Sequence, residues 1–201
     1  MTATSLDEAL GRRTLFVGDV GAGKTTETRR LLEEALSRGM RGVIVLDVSP
    51  NRHTAGGVGV GGALMPHGDA QVRLLRHEST APRLTARSPA ELLRLAEENR
   101  AGIERLLREL EAEPAEALFA NDVSIYLQRG DAARMLEAFS GCPTVVANGY
   151  LGVLLRADRG TGVSRRERAE MRRLAAGFDR VICLDNAHPI PPVYGSNEVN
   201  E

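Results

Sequence analysis

Thr14-Leu15-Phe16-Val17-Gly18-Asp19-Val20-Gly21-Ala22-Gly23-Lys24-Thr25-Thr26 constrains this chain more than any other stretch. A short apolar run leads into the pattern G-x-x-x-x-G-K-[ST]. A segment with Leu31, Leu32, Ala35 and Leu36 on one helical face follows, which gives the pattern a strand–loop–helix setting. Gly18, Gly21 and Gly23 let the backbone turn tightly and aim successive N–H groups inward, and the helix start adds its partial positive end to the same concavity. A loop of this kind cradles phosphates. Gly18, Asp19, Val20, Gly21, Ala22, Gly23, Lys24, Thr25 and Thr26 are therefore the expected binding residues for ATP and Mg²⁺. Lys24 would reach the β/γ-phosphates, and the Thr25 hydroxyl would ligate the metal. Lys24 is also the only lysine in a chain whose Lys and Arg together number 26. A compact ammonium fits between phosphates where a forked guanidinium does not.

Composition narrows the setting of this loop. A chain of 201 residues with 42% hydrophobic residues suits one α/β domain, expected over residues 1–185. The formal net charge of −1 provides no field to recruit nucleic acid, which is not expected as a partner. No apolar run reaches the roughly eighteen residues of a membrane span, and the polar start up to Arg12 lacks a signal-peptide core. Cys142 and Cys183 stand apart, which argues against a disulfide framework or structural zinc. A cytoplasmic protein is the consistent expectation, with self-association into a homo-oligomer left open.

Along the chain, Gly42 to Asp47 reads as a second buried strand. Residues 48–70, with Pro50, the glycine-rich run 56–62, Pro66 and Gly68, argue against regular structure. A loop this long suits a lid that is mobile without ligand and ordered by nucleotide and substrate. His53, His67 and His77 lack ligand spacing and read as surface residues. Gln71 to Leu75 is a candidate short strand. Ser88-Pro89-Ala90-Glu91 is a capping box that opens a long helix to about Ala112. Strands are expected at Ala117 to Asp122, Thr144 to Asn148 and Arg180 to Asp185, with a helix from Asp131 to Phe139. Ser164-Arg165-Arg166-Glu167 reads as a second capping box, opening a helix to about Ala176. The tail 186–201, with Pro189, Pro191 and Pro192, is expected to be extended or disordered.

Strands alternating with helices imply a three-layer α/β fold with a mainly parallel sheet and right-handed crossovers. Asp47, Asp122, Asn148 and Asp185 each close an apolar strand, so all four are expected at the edge where ligands bind. Asp122 is the first choice to hold Mg²⁺ as the Walker-B acid. Asp47 would take that role if strand 42–47 lay directly beside the strand that feeds the phosphate loop. Asn148 would sense a γ-phosphate or orient water, which makes Lys24, Asp122 and Asn148 the expected catalytic set. Arg52, Arg129, Arg156 and Arg159 are loop arginines suited to neutralising phosphate charge.

These residues resemble two groups of RecA-like P-loop proteins. Type II thymidine kinases continue their P-loop G-K-T-T-E, as Gly23 to Glu27 do here, and their acid–glutamate pair before an aromatic resembles Asn121 to Tyr126. Their glycine-bearing strand end resembles Val145 to Leu151. P-loop corrinoid adenosyltransferases share the G-K-T-T start, a segment like Tyr126, Gly130, Asp131 and Leu136, and a strand like Thr144 to Asn148. The likeness covers residues 13–47 and 117–185 and implies a RecA-like strand arrangement. The glutamate that follows the Walker acid as general base is replaced here by Val123, and the kinases' zinc cysteines are missing. Three functions follow as expectations. They are a Mg²⁺-dependent ATPase or phosphotransferase acting on an unidentified small molecule, an ATP:corrinoid adenosyltransferase, and a non-catalytic nucleotide-dependent binding module.

Overall fold

The computed structural model describes residues 4–50, 53–55, 58–60, 62–65, 72–113 and 115–184. Six strands are organised as one sheet: β1 (Arg13–Gly18), β2 (Val43–Asp47), β5 (Arg73–Arg76), β6 (Ala117–Asn121), β7 (Thr144–Tyr150) and β8 (Arg180–Cys183). Their spatial order is β5-β2-β6-β7-β1-β8, and every neighbouring pair is parallel. β2 is thus separated from β1 by β6 and β7, so the arrangement that would have favoured Asp47 over Asp122 is not the one observed.

Period-two alternation along the strands divides the core into two layers. Phe16, Val43, Val45, Ala117, Phe119 and Val146 face helices α1 (Leu6–Ala9) and α2 (Lys24–Ser37), where they meet Leu6, Leu31, Leu32 and Ala35. Leu15, Val17, Ile44, Leu46, Leu118 and Val145 face the other way. They pack on α4 (Pro89–Glu111), α5 (Ser124–Leu127), α6 (Ala132–Phe139) and α7 (Val163–Ala176). Helices on both faces of a parallel sheet give the expected three layers. The sheet's two edges are its four-residue strands, β5 and β8, short enough to limit exposed pairing groups.

Several local expectations are corrected. Residues 48–70 do carry regular structure: β3 (His53–Ala55) and β4 (Val58–Val60) pair antiparallel. Two β-prone triplets on either side of a Gly-Gly step can form a hairpin where a glycine count suggests only a loop. Gly62 and Ala63 of this segment are tied down, because Arg29 Nη2 donates to Ala63 O at 2.8 Å and Ser49 Oγ to Gly62 O at 3.1 Å. His77 is half-buried rather than on the surface, its ring lying against α4 where Gly102 leaves room. Ser164 does not cap α7. The helix begins two residues earlier than such a cap would place it, at Val163 with Gly162 as N-cap, and the Ser164 N–H donates to Asp158 Oδ2 at 3.0 Å. Ser88 does cap α4, accepting from the Glu91 N–H at 3.2 Å. α1, α3 (Pro82–Thr85) and α5 have no counterpart in the sequence expectations. Asp185 and the tail 186–201 lie outside the described residues, as does Arg52.

Candidate functional site

A cavity of about 290 Å³ opens at the carboxyl ends of β1, β2, β6 and β7. Val20, Gly21, Gly23, Lys24, Thr25 and Thr26 line one side of it. Gly23 makes this possible: as the N-cap of α2 it takes φ 88° and ψ 8°, a left-handed conformation that a side chain would strain. Gly23 has no side chain with which to cap α2, whose first turn opens onto the cavity. Lys24 Nζ donates to the carbonyl of Asp19 at 2.5 Å, across the loop it belongs to. Of the nine expected loop residues, Gly18, Asp19 and Ala22 are not in the cavity wall. Asp19 turns its carboxylate toward the segment after β7, where it accepts from the N–H groups of Val153 at 2.7 Å and Leu154 at 3.2 Å. Gly152 must be a glycine for this contact, because a Cβ there would stand 2.3 Å from Asp19 Cγ.

The floor is a network of amides and carboxylates. The buried Asp47 carboxylate accepts from Ser49 Oγ at 2.8 Å, the Leu64 N–H at 3.1 Å and Asn121 Nδ2 at 2.8 Å. Asn121 Nδ2 also donates to Gly62 O at 2.9 Å. With its donor end so occupied, Asn121 presents Oδ1 to the Thr25 hydroxyl at 3.1 Å and to Asn148 Nδ2 at 3.0 Å. Asn148 is engaged at both ends, since Nδ2 also donates to Thr28 Oγ1 at 2.9 Å and Oδ1 accepts the Asp122 N–H at 3.0 Å. Asn121, which sequence reasoning passed over, is therefore the last residue of β6 and the one that contacts Thr25.

Asp122 stands one residue beyond β6 with φ 57°, an unusual conformation of the kind that collects at functional sites. It lines the cavity, with Ser124 Oγ donating to its Oδ1 at 2.8 Å. Burial pushes its carboxyl above the usual range. The Ser124 hydrogen bond and the charges of Lys24 and Arg83 pull the other way, and the Asp47 charge adds to the rise.

Arg83 and Gln128 also line this wall, Glu167 stands behind them, and none of the three was expected at a site from the sequence. Arg83, on the one-turn helix α3, is only 5% exposed and pairs with the equally buried Glu167 of α7. Its Nη2 lies 3.1 Å from Glu167 Oε1, its Nη1 donates to Leu155 O at 3.0 Å, and its guanidinium sits 5.2 Å from the Tyr150 ring centre. Glu167 is the residue that looked like the partner in a capping box. Burial raises its carboxyl to about 7 against the opposing pull of Arg83. Gln128 donates Nε2 to Glu167 Oε1 at 3.3 Å, while its buried Oε1 has no partner among the described residues. The loop arginines disperse: Arg129 pairs with Glu97 at 3.5 Å, Arg156 lines a neighbouring cavity, and Arg159 sits in a turn at φ 56°.

Compared with the models of known protein families and with the curated proteins, the chain matches none. Among the described residues, no helix is long and apolar enough to cross a membrane.

Proposed function

We propose that residues 18–26 form a P-loop that binds Mg·ATP, and that the protein transfers or hydrolyses the terminal phosphate in the adjoining cavity. The observation that carries this is the alignment of Thr25, Asn121 and Asp122. The threonine after the P-loop lysine contacts the residue that ends β6, and an acid with a raised pKa comes next, inside the cavity. One strand, β7, lies between β1 and β6, which supports a RecA-like arrangement and the choice of β6 as the Walker-B strand.

The residues present fit Mg²⁺, because an oriented Thr25 hydroxyl, the Asn121 carbonyl and the Asp122 carboxylate are hard oxygen donors on one side of the cavity. Thr25 would hold the ion directly, with Asn121 orienting the Thr25 hydroxyl and Asp122 accepting from the ion's water ligands. When bound, the ion would neutralise charge on the phosphate chain. Lys24 and the α2 N–H groups would hold the β/γ-phosphates, and Arg83 would face developing negative charge from across the cavity. Asp122 would take the proton from the attacking water or hydroxyl, the general-base role left vacant when Val123 was compared with the kinase glutamate. Asn148 acts by position: it fixes the Asn121 carbonyl and the Asp122 backbone and has no spare group for a γ-phosphate.

Asp122→Asn separates an enzyme from a nucleotide-dependent binding module. The isosteric amide should leave Mg·ATP affinity within about threefold while phosphate release or transfer drops by about 100-fold or more. Equal turnover in parent and variant would remove Asp122 from the chemistry. Adding a cob(I)alamin acceptor to the same assay tests adenosyl transfer, whose signature is release of the intact triphosphate.

A further inference from the structure

A second cavity, of about 270 Å³, lies against the first and shares Arg83, Tyr150 and Leu155 with it. Arg156, Arg165 and Arg168 line it from the segment after β7 and from the first turns of α7. Among the described residues, the only acid in its wall is Glu167, already paired with Arg83, which leaves Arg156, Arg165 and Arg168 without a carboxylate of their own there. Arg168 also donates to Gly152 O, whereas Arg156 and Arg165 are exposed and form no hydrogen bond or ion pair among the described residues. An arginine cluster with no acid of its own is suited to an anion, which the planar fork can grip in bidentate fashion.

Two connections link this cavity to the first. Arg83 forms the shared wall, and the segment carrying Leu155 and Arg156 is anchored to the P-loop through Asp19. Near the shared wall, the Gln128 amide is oriented by the Glu167 carboxylate, and Gln128 and Asp122 both line the first cavity. A hydroxyl that accepts the terminal phosphate must reach Asp122 in the first cavity to lose its proton. We infer that the second cavity is the subsite for the second substrate, a small hydroxyl-bearing phosphate ester or carboxylate. Its anionic end is held by Arg156, Arg165 and Arg168, and its hydroxyl is directed past Tyr150 toward Gln128 and Asp122. This rests on the reading that the first cavity takes the nucleotide.

The test is calorimetric titration of glycerol 3-phosphate, and separately of glycerate, into the protein saturated with Mg·AMP-PNP. At least one probe should bind at millimolar concentration, and the arm that binds tells phosphate ester from carboxylate. The double variant Arg156→Ala/Arg165→Ala should weaken that binding about tenfold or more, with AMP-PNP affinity unchanged. Failure of both probes to bind would overturn the inference, and so would equal binding by parent and double variant. If AMP-PNP itself does not bind, the nucleotide reading fails. The same titrations without nucleotide then decide the subsite separately, because Arg156 and Arg165 are not in the P-loop cavity wall.

Discussion

Asn121 shows how one side-chain amide can set the polarity of a whole site. Its nitrogen faces Asp47 and Gly62 O, so its oxygen must face Thr25 and Asn148. Asn121→Asp keeps the shape but removes both donors and sets a second carboxylate against Asp47. Unfolding stability at pH 7.5 should fall by about 3 kcal/mol, with part regained near pH 4.5 as the pair takes up a proton. Urea titrations at the two pH values check this, and an unchanged midpoint at pH 7.5 would contradict it. At this scale the sequence was informative about residue types and less so about register. Asn148 does line the crevice, because an apolar strand that ends in a polar residue must end at a sheet edge. Asp47, by contrast, lies buried behind Asn121, outside the cavity wall. The one-residue offset between Asn121 and Asp122 was hidden, since both follow the same apolar run and only the backbone turn at Asp122 separates their directions.

At the scale of elements, the brace between α3 and α7 shapes the cavity. Arg83 and Glu167 are 84 positions apart in sequence, and helix α3 is a single turn beginning at a proline, so no periodicity links them. Glu167 has an equally good local reading as a capping-box partner, and the long-range ion pair prevails because α7 starts before Ser164. The brace gives a signed pH dependence. A glutamate with an ordinary value of 4.5, raised to about 7 in the fold, holds a proton that the unfolded chain releases in that window. Stability from this group is therefore fully present below about pH 4.5 and is lost as pH rises to about 7, by at most about 3 kcal/mol. Glu167→Gln mimics the protonated acid and should flatten that slope. Denaturation curves between pH 4.5 and 8 decide it, and a parent that gains stability across this window would refute it.

At the scale of the molecule, the alternation of apolar strands and amphipathic helices was enough to anticipate a parallel three-layer sheet. The four inner strands of the sheet, β1, β2, β6 and β7, are buried on both faces and read as largely apolar runs. The β3–β4 hairpin was not legible, because its pairing depends on backbone bonds between short segments rich in glycine. The fold brings together a glycine loop, a helix start and Lys24, and the account stands or falls on what that loop holds. Lys24→Arg tests this most directly, since it keeps the charge and installs a residue the chain uses in every other cationic position. Calorimetric titration with Mg·ATP, beside a thermal melt without nucleotide, should show binding weakened by about 1.4 kcal/mol or more, a tenfold change, with the melting temperature unchanged. A variant that binds as tightly as the parent would contradict the role of Lys24, and a parent that takes up no nucleoside triphosphate at millimolar concentration would contradict the account as a whole.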